Sequence, residues 1–384
     1  MLRLVNTKGI AISLSLLMLT AIFACTSNDP TPTPVVVEKI VEVEKEVKVE
    51  VEVEKIVEVE KEVKVEVEKI VEVEKDAGSL TIYSGRSESL VAPIIEQFSD
   101  ATGIDVEVKY AKTPQLASLL LEERQNTPAD IFWAQDPGGL GSVEDYMSDL
   151  PESITSLVPE WARSPKSKWV GVSGRARTVV YNSAELSASD LPDDMWGFTD
   201  AKWKGRIGWA PTNASFQAMI TAMRSSWGEE KTEEWLLGIK ANEAGIYPKN
   251  TPQVAAAAAG EISVGFVNHY YLHRFIAKEG EDFAARNYHP RAGGPGSVIM
   301  VAGAGQLMTA ANADNAQKFL NYLLSPVAQQ YFASQTYEYP LVEGVKTSLV
   351  LTPLEEINAP DIALKEMADI EGTVALLQKT GILP

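Results

Sequence analysis

Two adjacent tyrosines, Tyr270 and Tyr271, follow a β-rich run that ends at Val267. Phenolate is a hard, anionic oxygen ligand, and a trivalent metal ion can offset the cost of ionising phenols whose ordinary pKa is about 10. Most tyrosines in proteins serve aromatic packing instead. The residues alone therefore leave both a metal-binding role and a packing role open for this pair.

Three histidines and one cysteine are all that the chain offers as nitrogen or sulfur ligands. His269 and His273 are four residues apart, so on a helix they share a face, and that spacing could suit zinc or copper. No third nitrogen or thiolate ligand lies nearby, which favours a structural role for both. Any metal site must depend mainly on oxygen ligands, and such ligands favour hard ions.

Polar turns provide candidate anion sites. The turn 210–215 contains Asn213 and Ser215, either of which could cap the helix that follows. The amide groups at that helix terminus could also hold an anion. The turn 84–88 leads into a helix in the same way. An ordinary structural role is the alternative for each of these turns.

The turns lie between alternating strand and helix patterns. The pattern predicts strands near 80–83, 104–108, 129–133, 169–172, 178–181, 207–209, 262–267 and 298–302, and helices near 89–101, 114–123, 215–227, 230–241, 254–260, 312–325 and 326–332. Such alternation indicates βαβ units with parallel pairing, and about 305 residues exceed one comfortable core. We therefore predict two doubly wound lobes that bind ligands outside the carboxyl ends of the strands. Gln135 and Asp136 follow one such end with an amide and a carboxylate.

Composition restricts the class of partner. The 384-residue chain carries 53 acidic and 34 basic side chains, a formal net charge of −19. Such a surface repels phosphate backbones, so nucleic acid is not expected as a partner. The apolar share of 45% and the charged share of 23% are those of a globular protein. With a single cysteine, Cys25, an intramolecular disulfide is excluded.

The amino terminus is typical of an export signal. Residues 1–24 begin with positive charge and continue into an apolar stretch, 10–24, that is too short to span a membrane comfortably. The stretch ends in Ile22-Phe23-Ala24-Cys25, which resembles a bacterial lipobox with Ile in place of the usual Leu. This predicts cleavage before Cys25 and lipidation of its thiol, so that acyl chains anchor the protein to the cell membrane. An uncleaved anchor is the alternative.

Residues 25–78 separate the predicted lipid anchor from the folded part. A Pro/Thr-rich spacer is followed by low-complexity Val/Glu/Lys/Ile sequence at 35–75, which is typical of a stalk. Strict alternation favours strands there, and adjacent apolar pairs favour a helix, so its conformation stays open. An oligomerising coiled coil is an alternative to a simple stalk.

Six motifs stand in order along the folded part, 79–384. They are Tyr83-Ser84-Gly85-Arg86, Pro128-Ala129-Asp130-Ile131-Phe132, the run 172–181, Trp203-Lys204-Gly205-Arg206-Ile207-Gly208, Asn268-His269-Tyr270-Tyr271 and Glu338-Tyr339-Pro340-Leu341. With these motifs the chain resembles the bacterial ferric-ion-binding proteins, the solute receptors of iron(III) ABC transporters.

The resemblance implies an α/β fold, namely a two-lobed periplasmic-binding-protein clamp, type 2-like, with the ligand in the cleft. The crossings between the lobes are expected at 172–175 and 301–305, where they would form a hinge. The lobes are expected to comprise 79–172 plus 302–345 and 173–301 plus 346–384.

The resemblance also implies a set of metal ligands. The family's paired iron-binding tyrosines match Tyr270 and Tyr271. Many members add a histidine and a glutamate, whose positions are occupied by Ser87 and Gln135 here, and both are poorer ligands. Two phenolates leave a trivalent ion short of negative charge.

The missing charge could come from Asp136, from Glu88, from a chelator that arrives with the iron, or from a synergistic anion such as phosphate or carbonate. The family's anion pocket maps onto Asn213, Ala214, Ser215 and Asn250, and the arginines that could also hold an anion are Arg86, Arg175 and Arg177.

The sequence therefore predicts a lipid-anchored, monomeric receptor outside the cytoplasm that captures Fe(III) and delivers it to an ABC permease. A receptor of the same fold for a polyamine, thiamine or an organic anion is the alternative, with Trp133 and Trp209 stacking on the ligand. An enzyme such as a cell-surface hydrolase is not expected, because we find no convincing Ser/His/Asp or carboxylate-pair arrangement. A purely structural surface protein would leave the predicted cleft unexplained.

Overall fold

The computed structural model describes residues 40–46, 62–68, 77–362 and 364–384. The predicted signal, Cys25 and most of the predicted spacer and stalk lie outside these residues. Within the described ranges, no helix combines the length and the apolar character needed to span a bilayer.

The chain divides into two units, 1–75 and 76–384. In the first unit, strand β1 (Ile40–Glu46) pairs antiparallel with strand β2 (Glu62–Glu68). The described parts of the predicted stalk are thus strands, which is the conformation that strict Val/Glu alternation favours.

The second unit alternates strands and helices, as the sequence pattern predicts. Its strands are β3 (Ser79–Ser84), β4 (Asp105–Tyr110), β5 (Ile131–Ala134), β6 (Val170–Asn182), β7 (Ile207–Trp209), β8 (Gly245–Ile246), β9 (Val264–Asn268), β10 (Ala285–Tyr288) and β11 (Ile299–Gln306). Its helices are α1 (Glu88–Thr102), α2 (Thr113–Glu123), α3 (Pro137–Ser142), α4 (Glu152–Thr155), α5 (Ala214–Trp227), α6 (Glu229–Ala241), α7 (Asn250–Ala259), α8 (Tyr270–Glu279), α9 (Ala313–Leu323), α10 (Pro326–Gln335) and α11 (Ile370–Lys379).

The strands of this unit join in one mixed sheet, in the order β4-β3-β5-β11-β6-β9-β7-β8, with β10 added to β6. At one end β3 pairs parallel with β4 and β5, and at the other end β7 pairs parallel with β8 and β9. These pairs confirm the predicted βαβ units. In the centre, β6 and β11 run antiparallel to their partners, which the sequence pattern did not indicate.

Strand β6 is one continuous strand of 13 buried residues. The prediction of two separate strands, 169–172 and 178–181, is therefore wrong. The strand continues through Gly174, which forms an antiparallel bridge with Tyr339. A Cβ atom on residue 174 would lie only 3.1 Å from the Cβ of Tyr339. A glycine inside a buried strand here permits the close approach of another backbone.

The two central strands connect the parallel ends of the sheet. Strand β11 pairs with β5 on one side and with β6 on the other. The predicted hinge positions, 172–175 and 301–305, fall on these two paired strands, with Val301 opposite Gly174. The division into lobes stays a prediction.

Two large apolar cores fill the second unit. The first contains residues of β3, β5, α1 and α9, and the second contains residues of β7, β9, α5 and α6. Edge-to-face aromatic pairs occur in both, with ring centroids 5.1 Å apart for Phe98 and Phe319 and 5.5 Å apart for Phe198 and Phe266. Helix α11 contributes Leu376 and Leu377 to the second core, which attaches the end of the chain to it.

The buried carboxylate of Asp130 provides a test of how this unit is held together. It accepts hydrogen bonds from the Thr81 amide at 2.8 Å, from the Asn312 amide at 2.9 Å and from Asn312 Nδ2 at 3.1 Å. Asp130→Ala should lower the free energy of unfolding in urea by about 3 kcal/mol, because buried donors lose their acceptor. Asp105→Ala, at an exposed strand position, should change it by less than about 0.5 kcal/mol. Equal losses in the two variants would contradict this account.

Candidate metal centre

The tyrosine pair stands at the junction that the sequence predicts, between strand β9 and helix α8. Strand β9 ends at Asn268, and α8 begins at Tyr270. The phenol rings of Tyr270 and Tyr271 stack, with centroids 4.3 Å apart and planes 29° apart. Both side chains are buried, and the Tyr270 hydroxyl has no hydrogen-bond partner within the described residues. A buried hydroxyl without a partner is costly in a site that serves only packing.

The surroundings of Tyr271 control its ionisation. Burial raises the pKa of Tyr271 above its ordinary range, and the neighbouring Tyr270 raises it further. The positive charges of Arg86 and Arg175 oppose this rise in pKa, so both guanidinium groups lie within electrostatic reach of the phenol. Tyr271 is therefore protonated in the ligand-free protein, and a multivalent cation would favour its ionised form.

Arg86 follows strand β3 and forms a buried ion pair with Glu338. The other carboxylate oxygen of Glu338 accepts a hydrogen bond from Ser173 Oγ at 2.5 Å. Burial lowers the pKa of Arg86, but Glu338 and the tyrosine pair outweigh burial and hold that pKa above its ordinary value. Because its charge is already paired, Arg86 is a weaker anion ligand than the sequence suggests.

Arg175 and Arg177 lie on β6 and have no exposed surface. Nη1 of Arg175 donates to Ser215 Oγ at 3.1 Å, and Nη1 of Arg177 donates to Asn268 Oδ1 at 2.9 Å. The Nε and Nη2 atoms of both arginines have no partner among the described residues. Burial and the charge of Arg175 lower the pKa of Arg177 to about 9. Two buried cations whose bonded partners are neutral side chains favour the binding of an anion.

Helix α5 begins beside these arginines. Its N-cap residue, Asn213, accepts hydrogen bonds from the amides of Ser215 at 3.1 Å and Phe216 at 3.4 Å, which confirms the predicted cap. Asn250 opens helix α7 and donates to Asn213 Oδ1 at 3.4 Å. Ala214 is the first residue of α5 and adds no polar side chain. The side chains predicted for the anion pocket thus belong to one hydrogen-bonded group.

The Ser215 hydroxyl is the meeting point of this group. Besides Arg175 Nη1, Gln135 Nε2 at 2.9 Å and Asn268 Nδ2 at 3.2 Å point at its oxygen, so three donors surround an oxygen with two lone pairs. Gln135 therefore reaches the start of α5 from the turn after β5. Asn268 was not singled out from the sequence as a site residue, although its place between β9 and the tyrosine pair could have indicated it.

Asp136 is buried next to Gln135 and caps helix α3. Its Oδ1 accepts a hydrogen bond from the Gly139 amide at 3.0 Å, and its Oδ2 has no partner among the described residues. Burial raises the pKa of Asp136, while the Gly139 amide and the charge of Arg175 lower it. Asp136 thus shares the electrostatic environment of the buried arginines.

Ser87 and Glu88 make no side-chain hydrogen bond to this group within the described residues. Both are exposed at the start of helix α1, and Ser87 makes no side-chain capping bond there. The charge of Glu88 acts instead on Tyr110, where burial, Glu88 and Glu96 raise the tyrosine pKa to about 12. No hydrogen bond within the described residues connects Ser87 or Glu88 to the tyrosine pair.

The histidines do not assemble a metal site. In buried His269, Nδ1 accepts from the Ala176 amide at 3.1 Å, and Nε2 donates to the Tyr337 carbonyl at 2.8 Å. Burial lowers the pKa of His269 well below its ordinary value, so the ring is neutral. His273 and His289 line a cavity of about 380 Å³ beside it. Within the described residues, no group of three or more His, Cys, Asp or Glu side chains is arranged to hold a metal ion.

The two tryptophans proposed to stack on an organic ligand are core residues. Trp133 is fully buried and contacts Phe319 and Phe332, with centroids 6.0 Å and 6.2 Å away. Trp209 is 2% exposed and contacts Phe216 at 5.8 Å. Neither ring offers a free face to a ligand in this arrangement.

A comparison of two tyrosines tests whether the pair is built for packing. Tyr270→Phe removes a hydroxyl without a partner, so the free energy of unfolding of the ligand-free protein should stay the same or rise by up to about 1 kcal/mol. Tyr339→Phe removes a hydrogen bond to the Thr352 carbonyl of 2.6 Å and should cost about 1 kcal/mol. Urea unfolding measures both, and a larger loss for Tyr270→Phe would show that its hydroxyl stabilises the fold.

The pH dependence of stability tests the environment of His289. Burial lowers its pKa from the ordinary value of 6.5 to about 4. Between these pH values the unfolded chain binds a proton that the folded chain does not, so stability falls as the pH decreases from 7 to 4. His289→Gln should remove on the order of 2 kcal/mol of that loss, as measured by urea unfolding at both pH values. An unchanged loss in the variant would contradict the assignment.

Comparisons with known proteins identify the family of this chain. Residues 93–357 match the family of bacterial extracellular solute-binding proteins. The chain is 33% identical over 316 residues to the major ferric iron-binding protein of Neisseria meningitidis serogroup A, which covers 79% of this chain and 93% of that protein. It is 30% identical over 298 residues to iron uptake protein A1 of Synechocystis, covering 75% and 82% of the two chains.

Solved structures show the same fold. Iron-bound HitA from Pseudomonas aeruginosa superposes with a TM-score of 0.76 at 28% identity, covering 79% of this chain and 99% of that one. The Trichodesmium protein IdiA (FutA), in complex with iron and citrate, gives a TM-score of 0.69 at 28% identity over the same shares. The fold is thus the two-lobed periplasmic binding protein clamp, and the family comprises solute-binding transport proteins rather than enzymes. The chain belongs to the bacterial extracellular solute-binding proteins, and its relatives there include proteins that bind ferric iron.

Proposed function

We propose that this chain captures Fe(III) through Tyr270 and Tyr271, completed by an oxyanion at Arg175 and Arg177, and delivers it to an ABC permease. The observation that carries the proposal is the stacked, buried tyrosine pair beside two buried arginines with unpartnered N–H groups. The relatives named as ferric iron-binding and iron uptake proteins support the cargo. The solute-binding family implies an ABC transporter as partner and fits a location outside the cytoplasm.

Charge balance supports an anion as part of the site. A trivalent ion with two phenolates keeps one positive charge, and the two buried arginines raise the total to three. An ionised Asp136 would reduce it to two, while Arg86 and Glu338 cancel each other. Burying such a charge is far more costly than binding an oxyanion with two or three negative charges. Phosphate and carbonate can carry two negative charges, and citrate, which is present in the Trichodesmium structure, can carry three.

The start of helix α5 is the proposed place of the anion. This helix has 14 residues, and its first turn places the Ser215 hydroxyl 3.1 Å from Nη1 of Arg175, next to the positive end of the helix dipole. Gln135 lies at the same place through its bond to Ser215, so its amide borders the anion rather than replacing an acidic metal ligand. Asp136 adds a buried carboxylate oxygen that is free to accept a hydrogen bond.

The amino-terminal segment completes the proposal. Residues 1–24 would be removed as a signal, and lipidation of Cys25 would anchor the protein to the membrane. Residues 25–78 would hold the folded part away from that membrane. A monomeric clamp would then close around iron by bending at 172–175 and 301–305 and would open at the permease.

A second candidate is a receptor for an organic anion. The buried arginines favour it specifically, because they attract an anion whether or not iron is present. The same two cations disfavour the polyamine and thiamine alternatives, since both of those ligands are positively charged.

The proposal is tested by titrating the full chain with Fe(III) nitrilotriacetate, alone and with phosphate, carbonate or citrate. Phenolate bound to ferric iron should produce a new visible charge-transfer band whose intensity depends on the added anion. The band should be absent in Tyr270→Phe/Tyr271→Phe and retained in Tyr339→Phe, the matched control for loss of a buried tyrosine hydroxyl. A band that persists in the double variant would overturn the ligand assignment, and no band with any anion would favour the organic-anion receptor.

A further inference from the structure

A segment near the carboxyl terminus, residues 366–373, lies against two helices of the site at once, and we call it the strap. On helix α3 it rests on two glycines. A Cβ atom at Gly138 would lie 2.3 Å from Ile370 Cγ1, and one at Gly141 would lie 2.9 Å from Ala368 Cβ. Met367 is fully buried within the strap. The strap can pack this closely against α3 only because Gly138 and Gly141 have no side chains.

The other side of the strap is tied to helix α5. Arg224 donates to the Asp369 carbonyl and to Thr373 Oγ1, both at 3.1 Å, and pairs with the Asp369 carboxylate at 2.9 Å. The hydroxyl groups of Thr221 and Thr373 hydrogen-bond at 2.7 Å. Helix α11 continues from the strap into the second apolar core, which also contains residues of α5, so the strap and α5 are attached to the same core.

The two helices belong to different parallel ends of the sheet. Helix α3 follows β5, which pairs with β3, whereas α5 follows β7, which pairs with β8 and β9. The strap contacts both helices, and the 2.9 Å bond from Gln135 to Ser215 connects the turn before α3 with the start of α5. Helix α3 has six residues and is therefore roughly 9 Å long, so a shift at Gly138 reaches Asp136 within one turn.

We propose that the strap is a positioning element for the metal centre. Its seating on Gly138 and Gly141 fixes Gln135 and Asp136 against Ser215 and Arg175, and it must be released before the two ends of the sheet separate. A well-seated strap therefore slows the loss of iron. This inference rests on the proposed function, but its geometry is present in the ligand-free protein.

A compensating pair of substitutions in the full chain tests the proposal. Gly138→Ala places a methyl group where Ile370 lies, and Ile370→Ala removes the side chain that fills that space. Gly138→Ala should increase the rate of iron transfer to excess EDTA about fivefold, which corresponds to the lower end of the cost of an overpacked contact. The double variant should return towards the wild-type rate, because the new methyl group occupies the vacated space.

The control variant is Leu236→Ala, which removes a fully buried side chain of helix α6 in the second core. It should lower the melting temperature without changing the rate of iron release. An unchanged release rate in Gly138→Ala would overturn the proposal. Release rates that follow the melting temperature in all four variants would also overturn it, since they would reflect only general destabilisation.

Amide hydrogen exchange in the iron-free protein separates this proposal from the proposed function. Gly138→Ala should increase exchange at 139–143 and at 214–217, and the double variant should restore protection at both. If the wild-type protein binds no iron but this pattern occurs, the strap positions the two helices for another ligand and only the cargo is wrong. Unchanged exchange at 214–217 would refute the strap whether or not iron binds.

Discussion

The buried charge of Arg175 and Arg177 is the constraint on which the rest of the site depends. Both guanidinium groups lie inside the protein with only neutral hydrogen-bond partners among the described residues. Burial of an unpaired cation is strongly unfavourable, and a bound anion or a negatively charged complex would reduce that cost. Burial raises the pKa of Tyr271 beside them, so this phenol stays protonated in the ligand-free protein. The arginines thus account for why metal and anion would bind together.

Strand β6 places these charges. Successive side chains of a strand alternate between its faces, so Ser173, Arg175 and Arg177 share one face. Along that face, Ser173 holds Glu338 at 2.5 Å, while the two arginines reach the start of α5 and the end of β9. Because β6 pairs with β11 over the positions predicted as the hinge, movement of the lobes and arrangement of the charges would be coupled.

Local features of the sequence predicted much of this site. The tyrosine pair, the Asn213 cap and the helix after it follow from neighbouring residues, and a short pattern is enough to recognise each. The partner of Arg86 could not be found in this way, because Glu338 is 252 positions away. The bond from Gln135 to Ser215 spans 80 positions and depends on how the two ends of the sheet meet. The resemblance points to Ser87 through the family's histidine, and charge balance points to Glu88; in the structure both are exposed at the start of α1. The unbroken course of β6 was also missed, because local pattern does not reveal that buried arginines have distant acceptors.

The central claim is that the two phenol oxygens and an anion at the arginines bind the same ferric ion. Anomalous diffraction at the iron edge, from crystals of the full chain grown with Fe(III) and phosphate, tests it most directly. The account predicts one iron peak within bonding distance of Tyr270 Oη and Tyr271 Oη, with the phosphate between that iron and the side chains of Arg175 and Arg177. An iron peak in the histidine-lined cavity or at Glu88, or phosphate at the arginines without iron at the tyrosines, would contradict it.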